Sequence, residues 1–304
     1  MTGRQDGDAG ALDRFTRTAE LAANDVIGSY STSFGLATRL LGQRHRQHVR
    51  NIYAMVRVAD EIVDGVAAEA GLDRAQQRAA LDAYEAGAHA AVATGYSSDL
   101  VLHAFARTAR ESGIGESLTR PFFDSMRADL GAADAASGDA LVYDHAAHET
   151  YVHGSAEVVG LMCLQVFLRD DAHTDDELAV LRRGACRLGA AFQNVNFLRD
   201  LSDDTDRLGR DYLAGGGQLS DAERDRWVAT VREQLADAAV AIPLLPRDAR
   251  AAVRSAHALF SALTDRVART PAEQLYRRRV RVSDPAKARL AAGAVLTTWR
   301  EAGT

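Results

Sequence analysis

Hydrophobic positions recur every three to four residues along most of the chain, which is the period of an amphipathic α-helix. No alternating strand pattern of useful length occurs, and glycine-rich breaks separate the periodic segments. The sequence therefore predicts an all-α fold built as one large helical bundle. The predicted helices lie at about 12–28, 33–41, 44–67, 73–94, 98–112, 116–135, 145–169, 174–207, 220–241, 247–268 and 284–301.

The predicted helix 44–67 carries a polar stripe beside its apolar one. Asp60 and Asp64 are four residues apart, so they stand about 6 Å apart on one helix face. Two like charges at this spacing repel in a bare helix, but a shared divalent cation makes the pair favourable. Tyr53 and Arg57 continue the same stripe towards the N-terminus.

The predicted helix 174–207 repeats this arrangement. Its polar stripe consists of Gln193, Asn196, Asp200 and Asp204, with Arg199 beside it and Arg210 and Tyr212 after the helix. An isolated Asp-x-x-x-Asp pair is weak evidence, because the same spacing at 171/175 and 221/225 begins helices, where acids complement the helix dipole. Two such stripes facing each other would gather four carboxylates, which a cleft tolerates only when cations are bound.

Composition limits the functional classes. The net charge of −6 argues against a nucleic-acid partner, since such proteins present a basic surface. Residues 1–10 lack the apolar core of a signal sequence and are expected to be disordered, and residues 11–304 are expected to form one domain. No apolar run approaches the roughly 20 residues of a membrane span, so a cytoplasmic protein is expected, with peripheral membrane contact left open. The two cysteines, Cys163 and Cys186, are expected to be reduced.

Several segments together resemble the phytoene and squalene synthase family, and within it most closely the bacterial phytoene synthases. These segments are YSTSF at 30–34, YAMVRVADEIVD at 53–64, YVHGSAEVVG at 151–160, QNVNFLRDLSDDTDRLGRDYL at 193–213 and YRRRVRV at 276–282. The resemblance implies an isoprenoid synthase-type bundle with a central cavity. It also implies a magnesium-dependent prenyltransferase, with manganese as an alternative ion.

The resemblance assigns roles to residues of this chain. It implies metal binding by Asp60, Asp64, Asn196, Asp200 and Asp204. It implies substrate binding by Ser31, Ser33, Tyr53, Arg57, Tyr151, Gln193, Asn196, Arg199 and Arg210, and catalytic roles for Tyr53, Arg57, Asn196, Arg199, Arg210 and Tyr212. On the sequence alone, helix N-capping is the preferred interpretation of the two serines. Glu157 stands where many family members have a small residue, which leaves the lining of the pocket open at that point.

The implied reaction joins two prenyl diphosphates head to head, with two geranylgeranyl diphosphates giving phytoene through a cyclopropylcarbinyl diphosphate. One alternative is a squalene or dehydrosqualene synthase acting on farnesyl diphosphate, with NADPH required only for squalene. A catalytically silent scaffold of the same fold is a distant alternative, and it would predict decayed aspartate motifs. A head-to-tail elongation enzyme would carry an Asp-Asp-x-x-Asp motif, which this sequence lacks. The oligomeric state stays undetermined.

Two surface assignments follow from pattern alone. His45 and His48 lie among Arg44, Arg46 and Arg50, which predicts a solvated basic face, with contact to anionic lipid headgroups as the alternative. The apolar residues of helix 284–301 are expected to pack in the core.

Overall fold

The computed structural model describes residues 10–132, 141–142, 145–203, 210–211 and 218–301. Nearly all of them are helical, which confirms the all-α prediction. The helices are α1 (Ala11–Tyr30), α2 (Thr32–Arg39), α3 (Gln43–Val63), α4 (Val66–Glu69), α5 (Arg74–Thr94), α6 (Leu100–Ser112), α7 (Glu116–Ala132), α8 (His145–Val152), α9 (Val158–Leu168), α10 (Asp175–Asp203), α11 (Asp221–Ala241), α12 (Arg247–Ala268), α13 (Ala272–Leu275) and α14 (Asp284–Arg300). A 3₁₀ turn (Ile242–Leu244) follows α11, and the strands β1 (Leu141–Val142) and β2 (Arg210–Asp211) form a short parallel pair.

Local side-chain chemistry explains where several helices begin. Asp73 accepts a hydrogen bond from the backbone N–H of Gln76, and the Gln76 side chain accepts one from the backbone N–H of Asp73. Ser220 and Glu223 form the same reciprocal capping box at the start of α11. These boxes satisfy backbone donors that a helix start otherwise leaves unpaired, so the predicted starts of α5 and α11 are correct to within one residue.

The third helix ends earlier than predicted, at Val63 instead of residue 67. Gly65 adopts φ +132°, a conformation that side-chain-bearing L-residues rarely adopt, so the helix cannot continue through it. Asp64 is consequently the C-cap residue, and its backbone N–H still donates to the Asp60 carbonyl at 2.7 Å. The apolar repeat predicted a longer helix, because it gives no indication that one glycine adopts a positive φ.

The predicted helix 145–169 contains a π-helical turn at His153–Glu157, which joins α8 to α9. The combined helix His145–Leu168 is long and apolar enough, by length and composition, to cross a membrane. Core helices of globular proteins pass the same test, and here Val158, Met162 and Val166 are fully buried within the protein. The length and apolar character of this helix are therefore explained by its position in the core.

Helix α10 closely approaches α9 and the π turn before it at two glycines. A Cβ atom at Gly160 would lie 2.7 Å from the carbonyl oxygen of Ala185, and one at Gly189 would lie 2.6 Å from that of Ala156. Both distances are far below van der Waals contact, so any side chain at either position would push the helices apart. The glycines thus bring the central helices together around the interior of the bundle.

The solvated basic face predicted near the start of α3 is wrong. His45 is fully buried and its Nε2 lies 3.2 Å from Asp248 Oδ1, while Arg44 binds the same carboxylate through Nε at 2.8 Å and Nη2 at 3.0 Å. His48 is also buried, with Nδ1 3.0 Å from the Thr108 hydroxyl. The charge pattern was misleading because Asp171 and Asp248, which are distant in sequence, pair with Arg44, and because both histidines are buried.

Candidate active site

A cavity of about 480 Å³ lies inside the bundle, bounded chiefly by α3, α9, α10 and α12. Apolar side chains line most of it, and polar side chains gather where α3 and α10 end. The apolar lining includes Leu41, Val49, Val56, Val159, Leu164, Phe167, Leu181, Leu188, Phe192, Ile242, Leu245, Ala252, Val253 and Ala256. Among the predicted site residues, Tyr53, Asp60, Asp64, Tyr151, Gln193, Asn196, Arg199 and Asp200 line the same cavity.

Asp60, Asp64 and Asp200 face this one cavity from two different helices. All three lie at or near the C-terminal ends of α3 and α10, where the helix dipole already contributes negative potential. An acid at such a position destabilises the unliganded protein, unlike the acids of the first turn of α10, which complement the dipole. This arrangement suits a site whose negative charge is balanced by bound cations.

In the structure, arginine side chains balance the charge of Asp200. Arg199 donates to Asp200 through Nε at 2.8 Å, and Arg279 Nε lies 2.7 Å from Asp200 Oδ1. Arg279 comes from the segment before α14, so the chain's C-terminal region reaches the site. Sequence analysis did not assign Arg279 a role, because four arginines between 277 and 281 look alike in sequence and only their positions in the fold separate them.

The oxygen donors present fit a hard divalent cation. Asn196 lines the cavity, and its buried side-chain oxygen accepts no hydrogen bond within the part of the chain that the structure describes. A buried oxygen without a donor is costly, and it suits a cation or an ordered water. Carboxylate and amide oxygens are ligands that magnesium accepts. Within the described residues, no three His, Cys, Asp or Glu side chains alone form a group that could hold a metal ion.

A second group of polar residues lies beside the carboxylates. Tyr53 lines the cavity and hydrogen-bonds with Ser31 at the junction of α1 and α2, while burial raises the pKa of the Tyr53 hydroxyl. Arg57 forms an ion pair with Glu61, and its guanidinium carbon lies 4.6 Å from the centroid of the Tyr30 ring. Ser31 and Arg57 therefore support the cavity wall instead of lining it.

A buried polar pair also lines the cavity, and the sequence pattern pointed to only one of its members, Tyr151. The Tyr151 hydroxyl donates to Asp129 Oδ2 at 2.9 Å, and both side chains line the cavity although they are only 6% and 2% exposed. Asp129 escaped notice because it lies among other charged residues of α7, such as Asp124 and Arg127, and nothing in the sequence marks it as buried. A carboxylate in this position adds negative potential inside an apolar chamber.

Four predicted site groups lie outside the described residues or side chains: the Ser33 side chain, Asp204, the Arg210 side chain and Tyr212. Glu157, whose orientation was open, does not line the cavity. It pairs with His153, whose Nδ1 lies 2.9 Å from Glu157 Oε2. The departure from the family pattern at Glu157 therefore leaves the cavity wall unchanged.

A family model described as squalene/phytoene synthase matches residues 27–215. A 15-cis-phytoene synthase from a Paracoccus species is 28% identical over 283 residues, with 88% of each chain covered. Phytoene synthase 3 of Zea mays is 30% identical over 237 residues, which cover 75% of this chain but only 52% of the plant protein.

Solved structures share the fold at low sequence identity. A dehydrosqualene synthase crystallised with a ligand superimposes with a TM-score of 0.73 at 21% identity, over 96% of this chain and 99% of the other. The squalene synthase HpnC from Alicyclobacillus acidocaldarius gives 0.69 at 18% identity, over 86% and 95%. At such identities the likeness concerns the architecture alone.

Proposed function

The chain belongs to the squalene/phytoene synthase family, and from this premise we propose that it joins two geranylgeranyl diphosphates head to head to give phytoene, with release of diphosphate. It is accordingly a prenyltransferase. The curated relatives that match most of the chain are phytoene synthases, which supports this product over squalene and dehydrosqualene. The intact aspartate motifs argue against a silent scaffold.

One observation carries the proposal: carboxylates and a buried amide oxygen lie at one end of a long apolar cavity. That combination matches a substrate with an anionic head and a hydrocarbon tail. The polar end is suited to a cation–diphosphate group, and the remainder excludes water from a reactive carbocation.

The cavity is long enough for a C20 tail. Leu181 and Asp200 both line it and lie 19 residues apart on α10, a span of roughly 28 Å at about 1.5 Å per residue. With carbon–carbon bonds of about 1.5 Å, an extended C20 tail measures roughly 20 Å and a C15 tail roughly 15 Å. The span accommodates the longer tail together with its diphosphate.

The proposed chemistry assigns distinct tasks to the residues. Asp60, Asp64, Asn196 and Asp200, together with Asp204, would hold magnesium, which when bound supplies Lewis-acid stabilisation of the departing diphosphate. Arg199 is suited to bear negative charge that develops on the diphosphate oxygens, and Arg57 supports that end of the site. The double bond of the second substrate attacks the allylic cation left behind, and loss of a proton closes the ring of the cyclopropylcarbinyl diphosphate. A second ionisation releases the second diphosphate and gives the 1-1′ linkage. Loss of a proton then completes phytoene.

A direct experiment tests the assignment. The purified protein is incubated with magnesium and either C15 or C20 prenyl diphosphate, with and without NADPH, and the hydrocarbon is identified by mass spectrometry. We expect a C40 product from the C20 substrate without NADPH. A C30 hydrocarbon as the main product would instead identify a squalene or dehydrosqualene synthase. Repeating the reaction with manganese tests the alternative ion.

The variant Asp60→Asn tests the metal site, because it keeps the shape of the side chain but removes its charge. We expect loss of turnover of at least about 100-fold, because a metal-bound diphosphate loses a ligand, while helical circular dichroism stays unchanged. Near wild-type turnover of this variant in magnesium would exclude Asp60 from the metal site.

A further inference from the structure

Helix α14 packs Ala291 and Ala294 in the core as predicted, but it presents a second apolar face to solvent, contrary to the prediction for Val295 and Trp299. Trp299 is 75% exposed, Leu296 55% and Val295 42%. With Ala288 and Ala292, which are also exposed, these residues cover one side of the helix, since their spacing follows the helical repeat. Exposed apolar surface gathered in this way marks an interaction site.

The opposite face anchors the helix firmly to α12. Ala291 and Ala294 are buried against the bundle, and Arg254 donates to the Thr298 hydroxyl at 2.6 Å. Arg254 also lies 2.7 Å from the Glu301 carboxylate, so the one acid at the end of the helix points towards α12. The exposed face is therefore a fixed surface of the folded protein.

The charge next to this face is positive, although the chain as a whole carries −6. Arg289 and Arg300 are exposed, and no ion pair is found for either within the described part of the chain. Asp284, the first residue of α14, pairs with Lys287 at 3.0 Å, and no further aspartate or glutamate occurs up to residue 300. An apolar stripe with arginines along its edge and a tryptophan near its end matches the boundary between headgroups and acyl chains of an anionic bilayer.

We propose that the exposed face of α14 docks the protein on anionic lipid membranes. Trp299, Leu296 and Val295 enter the interfacial region, and Arg289 and Arg300 contact lipid phosphates. A second copy of the chain fits this face less well, because a symmetric pairing would bring the arginines of the two copies together. The inference concerns a surface outside the catalytic cavity and does not depend on which prenyl diphosphate the protein uses.

Vesicle flotation with the full chain tests the proposal. The probes are vesicles of equal parts phosphatidylcholine and phosphatidylglycerol, and vesicles of phosphatidylcholine alone. We expect the wild type to bind the anionic vesicles, and the double variant Leu296→Gln/Trp299→Gln to bind at least about tenfold more weakly. Val240→Gln is the matched control, because Val240 is 67% exposed on α11 and should leave binding unchanged.

The arginines provide an independent variant. Arg289→Gln/Arg300→Gln should weaken binding to anionic vesicles about 30-fold and abolish the preference over neutral ones. Circular dichroism and light scattering accompany each variant. The proposal is overturned if the wild type does not float with anionic vesicles, or if the Leu296/Trp299 variant floats as well as the wild type. It is also overturned if that variant merely converts a dimer to a monomer.

Discussion

At the scale of single residues, the Asp200 carboxylate is paired with arginine side chains that must move when the substrate binds. Asp200 accepts from Arg199 and Arg279, so two guanidiniums occupy oxygens that are proposed to bind a cation. The same guanidiniums lie where diphosphate oxygens would arrive, and phosphate is a strong partner for arginine. Substrate binding is therefore expected to transfer the arginines from Asp200 to diphosphate.

Arg279→Gln tests this exchange. Removing one charge-assisted contact, worth about 1.5–3 kcal/mol, should lower kcat/KM roughly 10- to 100-fold. Arg277→Gln is the control, because Arg277 is an exposed residue that pairs with Glu273 and should leave the kinetics unchanged. Steady-state kinetics with prenyl diphosphate provides the measurement, and equal effects of the two substitutions would contradict the assignment.

His48 makes stability depend on pH. Burial, reinforced by the nearby Arg169 charge, lowers the pKa of His48 from 6.5 to about 4. Between these values the unfolded chain binds a proton that the folded chain excludes. Stability is therefore full above pH 6.5 and declines as pH falls towards 4, by up to about 3 kcal/mol.

Thermal unfolding followed by circular dichroism at pH 7.5, 5.5 and 4.5 measures this decline. His48→Asn should flatten the dependence of Tm on pH, whereas His145→Asn, at an exposed site, should not. An unchanged slope in the His48 variant would assign the acid sensitivity to other groups.

At the scale of elements, the contacts of α10 with α9 and with the π turn before it depend on missing side chains. Gly160 and Gly189 allow backbone atoms of the two helices to come within the space of a methyl group. Both glycines also line the cavity, so the closeness of these helices determines the shape of the wall.

Two glycine-to-alanine substitutions should have opposite effects. Gly189→Ala inserts a methyl group 2.6 Å from a carbonyl oxygen and should destabilise the protein by about 1–3 kcal/mol. Gly28→Ala lies in α1 with no atom within 4 Å of the new methyl group, and should stabilise by about 0.5–1 kcal/mol. Urea unfolding of the two variants measures both changes, and a stabilising Gly189→Ala would contradict the close packing.

At the scale of the whole molecule, the cavity runs through the bundle from the aspartates to an apolar end near Leu181 and Ala252. Leu41, Leu245 and Ala249 pack with these two residues in one core cluster. The stability of the fold and the space for the substrate tail therefore depend on the same side chains.

Filling the apolar end should change the preferred tail length. Ala252→Phe occupies space that only the longer tail reaches, so the ratio of C20 to C15 turnover should fall about tenfold or more. Ala229→Phe, on the exposed side of α11, is the control and should leave the ratio unchanged. Competition between the two substrates, followed by mass spectrometry, measures the ratio. An equal loss for both substrates would indicate damage to the polar end instead.

Most of the architecture could be predicted from sequence, because long helices with one apolar face leave a strong periodic signal. The same signal failed where burial depends on distant residues. His45 is buried because Asp248 accepts its hydrogen bond, and Asp129 reaches the cavity because Tyr151 binds it. It also failed for the outer face of α14, because an apolar stripe that packs in a core and one that faces solvent have identical periodicity. The Asp60 and Asp200 motifs could be recognised because each is compact in sequence.

The π turn at His153–Glu157 adds one residue to the helix without adding a turn. In a regular α-helix, which turns about 100° per residue, Gly160 and Cys163 would lie on a different side of the helix from Tyr151. With the π turn, all three residues line the cavity. Deleting one residue from this turn would restore regular winding and rotate α9 by about 100°, carrying Cys163 out of the chamber. The register of the inner wall thus depends on a single inserted residue.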